Sequence, residues 1–293
     1  MKKYLLFLFF FVEAATAQIA GTITDSVSGK AVSYVNVWIE GENIGVSGSE
    51  AGIFKINNEV KDRIVVFSAV GYETKKLAAS AAMNVQLNPI TYQLEEVTIQ
   101  QKAKAEPLVI GNYKKGKIDA FFACFGQPWI VAKYFPYTQE MLQTPFLKEI
   151  VLVTQSDVDN AKFNIRFMEA NEDGSPGADV AGENLIAIAE KGKKYLTVNL
   201  ENHRIQFPET GLFIAIEWLI IRENAYEISV KQMAGELKQT VIYSPKFGFV
   251  PSAESSSWRY AKGNWDKLGK SMSAMTKFEG KFQEIAMKIT LSN

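Results

Sequence analysis

The chain has 293 residues, more than one hydrophobic core usually organises, so its length predicts two domains. Hydrophobic residues make up 47% and charged residues 22%, which is typical of a globular chain and excludes a disordered one. Lys plus Arg and Asp plus Glu both count 32, so the basic excess of a nucleic-acid-binding protein is missing and we expect no nucleic-acid partner.

Residues 1–17 have the pattern of a cleaved signal peptide. Lys2 and Lys3 form a positive start, an apolar run follows over residues 4–12, and residues 15–17 (ATA) form a small-residue cleavage site. The apolar run is shorter than the roughly 20 residues that a membrane span needs. The pattern therefore predicts an exported chain that starts at Gln18 and has no transmembrane segment after cleavage.

Residues 18–99 have the two-residue period of β-strands. Over residues 33–40 one face carries three aliphatic side chains, and the other carries Tyr34, Asn36 and Trp38. Turn-rich segments, DSVSGK and EGENIG, bracket this strand. The runs GIFKI, RIVVFSAV, YETKKL and MNVQL bring the total to about seven short strands, which predicts a small immunoglobulin-like or prealbumin-like sandwich.

Four segments in order, GTITDSVSGKAVSYVNVWIEG, GIFKI, VVFSAVGYET and LEEVTI, resemble the carboxypeptidase-D regulatory-like domain. The resemblance covers residues 18–100. It implies a prealbumin-like sandwich and a Gram-negative envelope setting: the periplasm, the outer-membrane surface or the medium. Two associations of this family are excluded, because His203 is the single histidine and cannot hold the zinc of a metallocarboxypeptidase, and the remaining chain is too short for a TonB-dependent barrel.

Residues 100–109, which begin QQKAKAEP, are polar and basic and predict a flexible interdomain linker. Residues 110–293 are richer in aromatic residues and predict a second, larger sandwich of jelly-roll type, so that the fold class is all-β. The segment GLFIAIEWLII is apolar on both faces and predicts a strand at the centre of its sheet. The other strand candidates span residues 146–154, 163–169, 185–189, 195–200, 240–243 and 282–291.

The run from FNIRFMEANEDGSPGADV to KKYLTVNLENHRIQFPETGLFIAIEW loosely resembles galactose-binding-like and other jelly-roll modules of secreted proteins. The resemblance covers part of the second domain and implies binding in preference to catalysis.

The segment SSSWRYAKGNWDKL carries the candidate ligand-binding residues, Trp258, Arg259, Tyr260 and Trp265, around a turn at residues 262–264. Two strands joined at this turn would bring flat aromatic faces close to Arg259 and Asp266. Such a surface can stack on a sugar ring or hold a peptide, so the predicted partner is a glycan or an envelope protein. The alternative is ordinary core packing, because aromatic residues are also favoured in strands.

Glu217 shares a strand face with apolar residues, a costly position for a carboxylate unless it is paired or lies at a cleft. It is either one carboxylate of a hydrolase acting on polysaccharide or peptide, or the partner of a neighbouring Lys or Arg. No pattern designates a second carboxylate. The sequence therefore predicts a non-enzymatic protein, and the hydrolase is the alternative.

No complete metal or cofactor motif is present, so we expect neither. The turn NEDGSPG places Asn171, Glu172 and Asp173 in an order that resembles part of a calcium loop, but the later bidentate acid is missing. His203 has no second histidine to form a zinc site. Cys124, the single cysteine, lies among phenylalanines and is predicted to be a buried hydrophobe.

Overall fold

The computed structural model describes residues 18–57, 62–90, 105–111, 113, 116, 118–231, 235–271 and 276–293. These residues form 22 strands and five 3-10 turns but no α-helix, so the predicted all-β class is confirmed. A helix long and apolar enough for a membrane span is likewise missing from the described residues. The predicted signal peptide, the LEEVTI segment and residues 100–104 of the predicted linker lie outside them.

The first module is the predicted small sandwich, with seven described strands in two sheets. One sheet has the order β4-β1-β7 and the other the order β3-β2-β5-β6, and a core that includes Ile23, Phe54 and Phe67 lies between them. β1 runs parallel to β7, and the other pairs are antiparallel. The strands are β1 (Ile19–Asp25), β2 (Asn36–Ile39), β3 (Gly45–Ser47), β4 (Ile53–Ile56), β5 (Ile64–Ser68), β6 (Lys75–Ala78) and β7 (Asn84–Leu87).

The second module contains the remaining fifteen strands of the described residues. They are β8 (Leu108–Gly111), β9 (Ala120–Cys124), β10 (Ile130–Phe135), β11 (Phe146–Ser156), β12 (Ala161–Ala170), β13 (Pro176–Asp179), β14 (Leu185–Ala189), β15 (Gly192–Asn199), β16 (Leu212–Trp218), β17 (Ala225–Lys231), β18 (Leu237–Ser252), β19 (Ser257–Ala261), β20 (Asn264–Lys267), β21 (Phe282–Ile285) and β22 (Met287–Ser292). β8 pairs with β22, so the second module includes the last residues of the predicted linker.

These strands form two antiparallel sheets that pack face to face. The seven-stranded sheet has the order β13-β12-β16-β10-β19-β20, with β14 beside β12. The eight-stranded sheet has the order β17-β18-β11-β22-β8, with β15 beside β11 and with β9 and β21 beside β18. Their inner faces bury large side chains, among them Phe163, Trp218 and Phe247, each of which contributes about 1.5–3 kcal/mol to folding.

The segment GLFIAIEWLII forms the predicted central strand. Its residues 212–218 are β16, which lies between β12 and β10, and all seven are buried. Alternate residues of β16 face the second module's core, and the residues between them face the other way. Trp218 faces the core, where its Nε1 donates a hydrogen bond to the Pro245 carbonyl at 2.6 Å. Glu217 faces outward, toward the first module.

The first module covers this outer face of the seven-stranded sheet. The Ser47 hydroxyl accepts a hydrogen bond from the Ile220 amide at 2.9 Å. Lys162 donates to the Tyr34 hydroxyl at 2.9 Å and forms an ion pair with Glu50 at 3.2 Å. These contacts join residues more than a hundred positions apart in the chain.

The two modules are therefore docked against each other through these contacts. Trp38 and Asn36, on the face of β2 that the alternation leaves outside the first core, are each only 5% exposed. The Trp38 ring meets the Tyr260 ring edge-on, with 6.2 Å between centroids. One face of β2 packs into the core of the first module, and the other face packs against the second module, so both faces are buried.

Candidate ligand-binding site

The predicted aromatic hairpin is present as β19 and β20. Lys262 and Gly263 have φ values of 54° and 86°, the left-handed conformation that a tight two-residue hairpin turn requires. The register places Tyr260 opposite Trp265 and Arg259 opposite Asp266. In an antiparallel pair, residues directly opposite each other share a face of the sheet.

The hairpin divides the four predicted binding residues between two faces. Trp258, Tyr260 and Trp265 lie together on the outer face, in a cluster that includes Phe213, whose ring is 6.2 Å from that of Trp258. Arg259 lies on the opposite face. Tyr260 packs against Trp38 of the first module, and Arg259 lies on the other face of the hairpin from the three aromatic residues.

Arg259 and Asp266 line a cleft of about 830 Å³ in the second module. Its polar wall is the β19–β20 hairpin, which also contributes Lys262 and Asn264. Asn43, from the turn between β2 and β3, reaches the cleft from the first module. The cleft has the size of a small-molecule site, and its charged lining residues, Arg259, Lys262 and Asp266, all come from the hairpin.

Aromatic rings form the facing wall. The Phe122 ring lies 4.5 Å from the Phe249 ring and 6.4 Å from the Trp129 ring, between centroids. Trp129 in turn stacks on the buried Trp218 at 5.4 Å. Phe125 is 50% exposed and lies at the rim. Because the wall rests on the packed core, its ring faces are held in position without a ligand.

Two hydrogen-bond donors on cleft-lining residues have no acceptor among the described residues. They are Nε of Arg259 and Nε1 of Trp129, and both atoms are buried. An unpaired buried donor costs about 1–3 kcal/mol, a cost that an acceptor on a ligand would reduce.

Glu217 lies in the interface between the modules and not in the cleft. It is 5% exposed, and its carboxylate accepts a hydrogen bond from the Asn164 amide at 2.9 Å and another from the Asn36 amide of the first module. Nη1 of Arg166 lies 3.8 Å from Oε1 of Glu217. Arg166 also holds Asp179 through two hydrogen bonds of 2.6 and 3.0 Å.

Burial dominates the electrostatics of this cluster. Burial raises the pKa of Glu217 above its ordinary value, and Arg166 and the two amides offset part of that increase. Burial also opposes the charge on Arg166, but Asp179 and Glu217 outweigh it, so the pKa of Arg166 is raised. The cluster is a buried ionic contact between a guanidinium and two carboxylates.

This position bears on the hydrolase alternative for Glu217. A general acid needs a cleft in which substrate reaches the carboxylate. Glu217 is instead covered by the first module and paired with a cation, as in the second interpretation of the sequence. It therefore lends no support to a hydrolase.

The remaining sequence candidates have local structural roles. The side chain of Asp173 accepts hydrogen bonds from the Ser175 amide at 2.9 Å and hydroxyl at 2.6 Å, which close the 171–175 turn. Among the described residues, no group of three or more His, Cys, Asp or Glu side chains is placed to hold a metal ion. Nδ1 of His203 lies 3.8 Å from Oε1 of Glu183. Cys124 is buried as predicted, and burial raises the pKa of its thiol to about 11.

The sequence did not identify the aromatic wall of the cleft. Phe125 and Trp129 lie in the run FFACFGQPW, where the density of aromatic residues indicates a core strand. The Gly-Gln-Pro interruption after Phe125 was the available signal, because it ends the strand and leaves that ring at an edge. Phe249 comes from a distant strand, and only the tertiary structure places it here.

Similarity to solved structures is low. One match is to the cysteine protease and lectin-like domains of Cwp84, a surface layer associated protein of Clostridium difficile, with 10% identity, a TM-score of 0.35, and coverage of 57% of this chain and 32% of that chain. The clostridial cysteine protease Cwp84 after propeptide cleavage matches with 10% identity, a TM-score of 0.42, and coverage of 85% and 51%. A structure of infectious bursal disease virus, Gx strain, matches with 10% identity, a TM-score of 0.22, and coverage of 94% and 65%.

The chain thus spans less than two thirds of each of these three solved chains, and TM-scores below 0.5 are too low to assign a fold or a function. No curated protein matches the sequence. The family model of the CarboxypepD_reg-like domain matches residues 19–101, and this match confirms the resemblance of the first sandwich to that family.

Proposed function

We propose that the chain is an exported, non-enzymatic envelope protein whose second sandwich binds a carbohydrate in the cleft between the β19–β20 hairpin and the aromatic wall. The first sandwich acts as a docking module, fixed against the outer face of the second. The signal-peptide pattern of residues 1–17 supports export, and the family setting of the first sandwich supports an envelope location.

The observation that carries the proposal is the division of the cleft into an aromatic wall and a polar wall. A sugar ring presents C–H groups on its faces and hydroxyl groups around its edge. The exposed ring of Phe125 can stack on such a face, while Arg259, Asn264 and Asp266 can donate or accept hydrogen bonds at the edge. The proposal includes no chemical step.

The cleft favours a glycan over a protein partner. Its volume of about 830 Å³ lies in the range of small-molecule sites and suits a short oligosaccharide. Its polar residues converge on one concave space. A protein partner would need a much larger surface, since specific interfaces bury about 800 Å² on each partner.

The first test is a binding screen of the purified protein against a panel of oligosaccharides from glucans, xylans, mannans, chitin and lipopolysaccharide. Phe125→Ala should raise the Kd of the oligosaccharide that binds by about tenfold, because the stacked ring is lost. Asp266→Ala should have an effect of similar size by removing an acceptor. Both residues are exposed or partly exposed, so stability should change by less than about 0.5 kcal/mol.

Two further variants assign the binding to one face of the hairpin. Ile188→Ala is the matched control, because Ile188 is 49% exposed on β14, at the other side of the seven-stranded sheet. The double variant Trp258→Ala, Trp265→Ala changes the outer face and should leave the Kd unchanged. Loss of binding in this double variant, with normal binding in Phe125→Ala, would contradict the proposed cleft; so would a panel in which no oligosaccharide binds.

A further inference from the structure

The hairpin of β17 and β18 extends beyond the sandwich as a two-stranded ribbon. Residues 237–242 of β18 pair with β17, whereas β9, β11 and β21 pair with β18 only from Tyr243 onward. Among the described residues β17 pairs with no strand other than β18. One edge of β17 therefore has backbone N–H and C=O groups that no described strand satisfies.

This edge lacks two of the features that often prevent pairing with another chain, a proline and a bulge. β17 has no proline, and its register with β18 is continuous over all seven residues, without a bulge. The ribbon also exposes apolar side chains, since Val230 is 36%, Val241 41% and Leu237 71% exposed. A two-stranded ribbon alone is marginally stable in water, and further strands beside it would stabilise it.

The sequence of β17, AYEISVK, is self-complementary about its fifth residue, Ser229. If two copies pair antiparallel with Ser229 opposite Ser229, each Glu227 lies opposite Lys231 of the second copy. The same pairing places Ile228 of each copy opposite Val230 of the other copy. Because of the two-fold symmetry, each of these contacts occurs twice. A pair centred on Ile228 would leave both charges without opposite partners.

The two charged side chains of this pairing are accessible to a second copy. Glu227 and Lys231 are exposed, and no ion pair within the described part of the chain involves either of them. Opposite charges directly across an antiparallel pair stabilise it, and like charges destabilise it. We propose that β17 is a dimerisation edge, which pairs antiparallel with β17 of a second copy, centred on Ser229, to form one continuous sheet.

A cysteine at the symmetry axis tests the register. In the proposed dimer the two Ser229 Cβ atoms lie about 4.5–5.5 Å apart, within reach of a disulfide. Ser229→Cys should therefore give a covalent dimer under mild oxidation, visible on a non-reducing gel. The native Cys124 is buried and does not interfere.

Gln239→Cys is the matched control for this cross-link. Gln239 lies opposite Ser229 on β18 and is also exposed, but the two copies would be separated by three strand spacings, about 14 Å, in the dimer. Cross-linking of Ser229→Cys alone supports the register. Equal cross-linking of both variants, or of neither, overturns it.

Charge reversal tests the same pairing without a cross-link. Glu227→Lys and Lys231→Glu each place like charges opposite one another at two positions, so each should raise the dimer Kd at least tenfold in sedimentation equilibrium. The double variant restores opposite charges and should return the Kd to that of the native chain. A native chain that sediments as a monomer, or a double variant no better than the singles, contradicts the proposal.

Discussion

Replacement of Arg166 by methionine is expected to lower the free energy of unfolding by about 3–5 kcal/mol at neutral pH. Arg166 is the cation that pairs with both Asp179 and Glu217, and Glu217 is buried between the modules. Without it, two carboxylates stay close together away from water. Removing one partner of a buried ionic cluster is costly for this reason, while a surface charge contributes little.

The loss of stability caused by Arg166→Met should depend on pH. The folded-state pKa of Glu217 is already raised by burial, and loss of Arg166 removes a group that lowers it. A carboxyl with a raised folded pKa stabilises the fold in its protonated form below the ordinary pKa, and that contribution is lost as pH rises through the folded pKa. The difference between the native chain and the variant should therefore be small near pH 4 and large near pH 7.

Urea unfolding at several pH values measures this difference. Arg222→Met is the control, because Arg222 is exposed and its replacement should change stability by less than about 0.5 kcal/mol. Adding Glu217→Gln to Arg166→Met should recover part of the loss, since one carboxylate fewer is unpaired. A cost that is the same at both ends of the pH range would show that the guanidinium acts only by packing.

Glu284→Gln is expected to lower the free energy of unfolding by about 3 kcal/mol, and with the opposite pH dependence. Glu284 on β21 forms an ion pair at 3.2 Å with Lys133 on β10, and thus joins the two sheets of the second module. Lys133 is only 4% exposed. Glutamine keeps the shape and an oxygen acceptor, so the change removes little more than the charge that compensates the buried ammonium.

The direction of this pH dependence follows from the pKa of Lys133. Burial lowers the pKa of Lys133, and Glu284 offsets part of that decrease. In the variant the offset is lost and the folded pKa falls further. A lysine with a lowered folded pKa destabilises the fold while it is protonated, so the cost should be full at neutral pH and should decrease as pH rises through the folded pKa.

The surface pair of Glu190 and Lys194 supplies the control for Glu284→Gln. Its atoms lie 3.6 Å apart, but the Glu190 side chain is 75% exposed, so Glu190→Gln should cost about 0.5 kcal/mol or less at any pH. If Glu284→Gln is no more costly than Glu190→Gln, then Lys133 is solvated in solution and the pair does not stabilise the sandwich.

The local sequence was sufficient for the strands and the sandwiches, because hydrophobic alternation and turn residues act over a few neighbours. The alternation in β2, the largely apolar β16 and the Lys262-Gly263 turn were each predicted correctly for this reason. The strands β8, β9, β10, β13 and β17 were not identified, since runs of four to seven residues can carry too little pattern.

The candidate site was predicted only in part. The hairpin with Arg259 was identified, but its aromatic residues were assigned to the same surface as Arg259, although alternation along β19 places Trp258 and Tyr260 on the other face. The sequence also singled out Glu217 as unusual without showing its partners. Asn36 is 181 positions away, and Arg166 lies on the neighbouring strand, where only the register of β12 and β16 brings it close.

The sequence by itself determined that this chain is β-structured, that its first part resembles a regulatory-like sandwich, and where most long strands run. The tertiary structure decided which face of each sheet is covered: it buried Trp38 and Glu217 between the modules, gathered Phe122, Trp129 and Phe249 into one wall, and left the edge of β17 without a partner strand in the described chain. The physical reason is that a two-residue period specifies two faces but not what covers them, which depends on contacts between residues far apart in the chain.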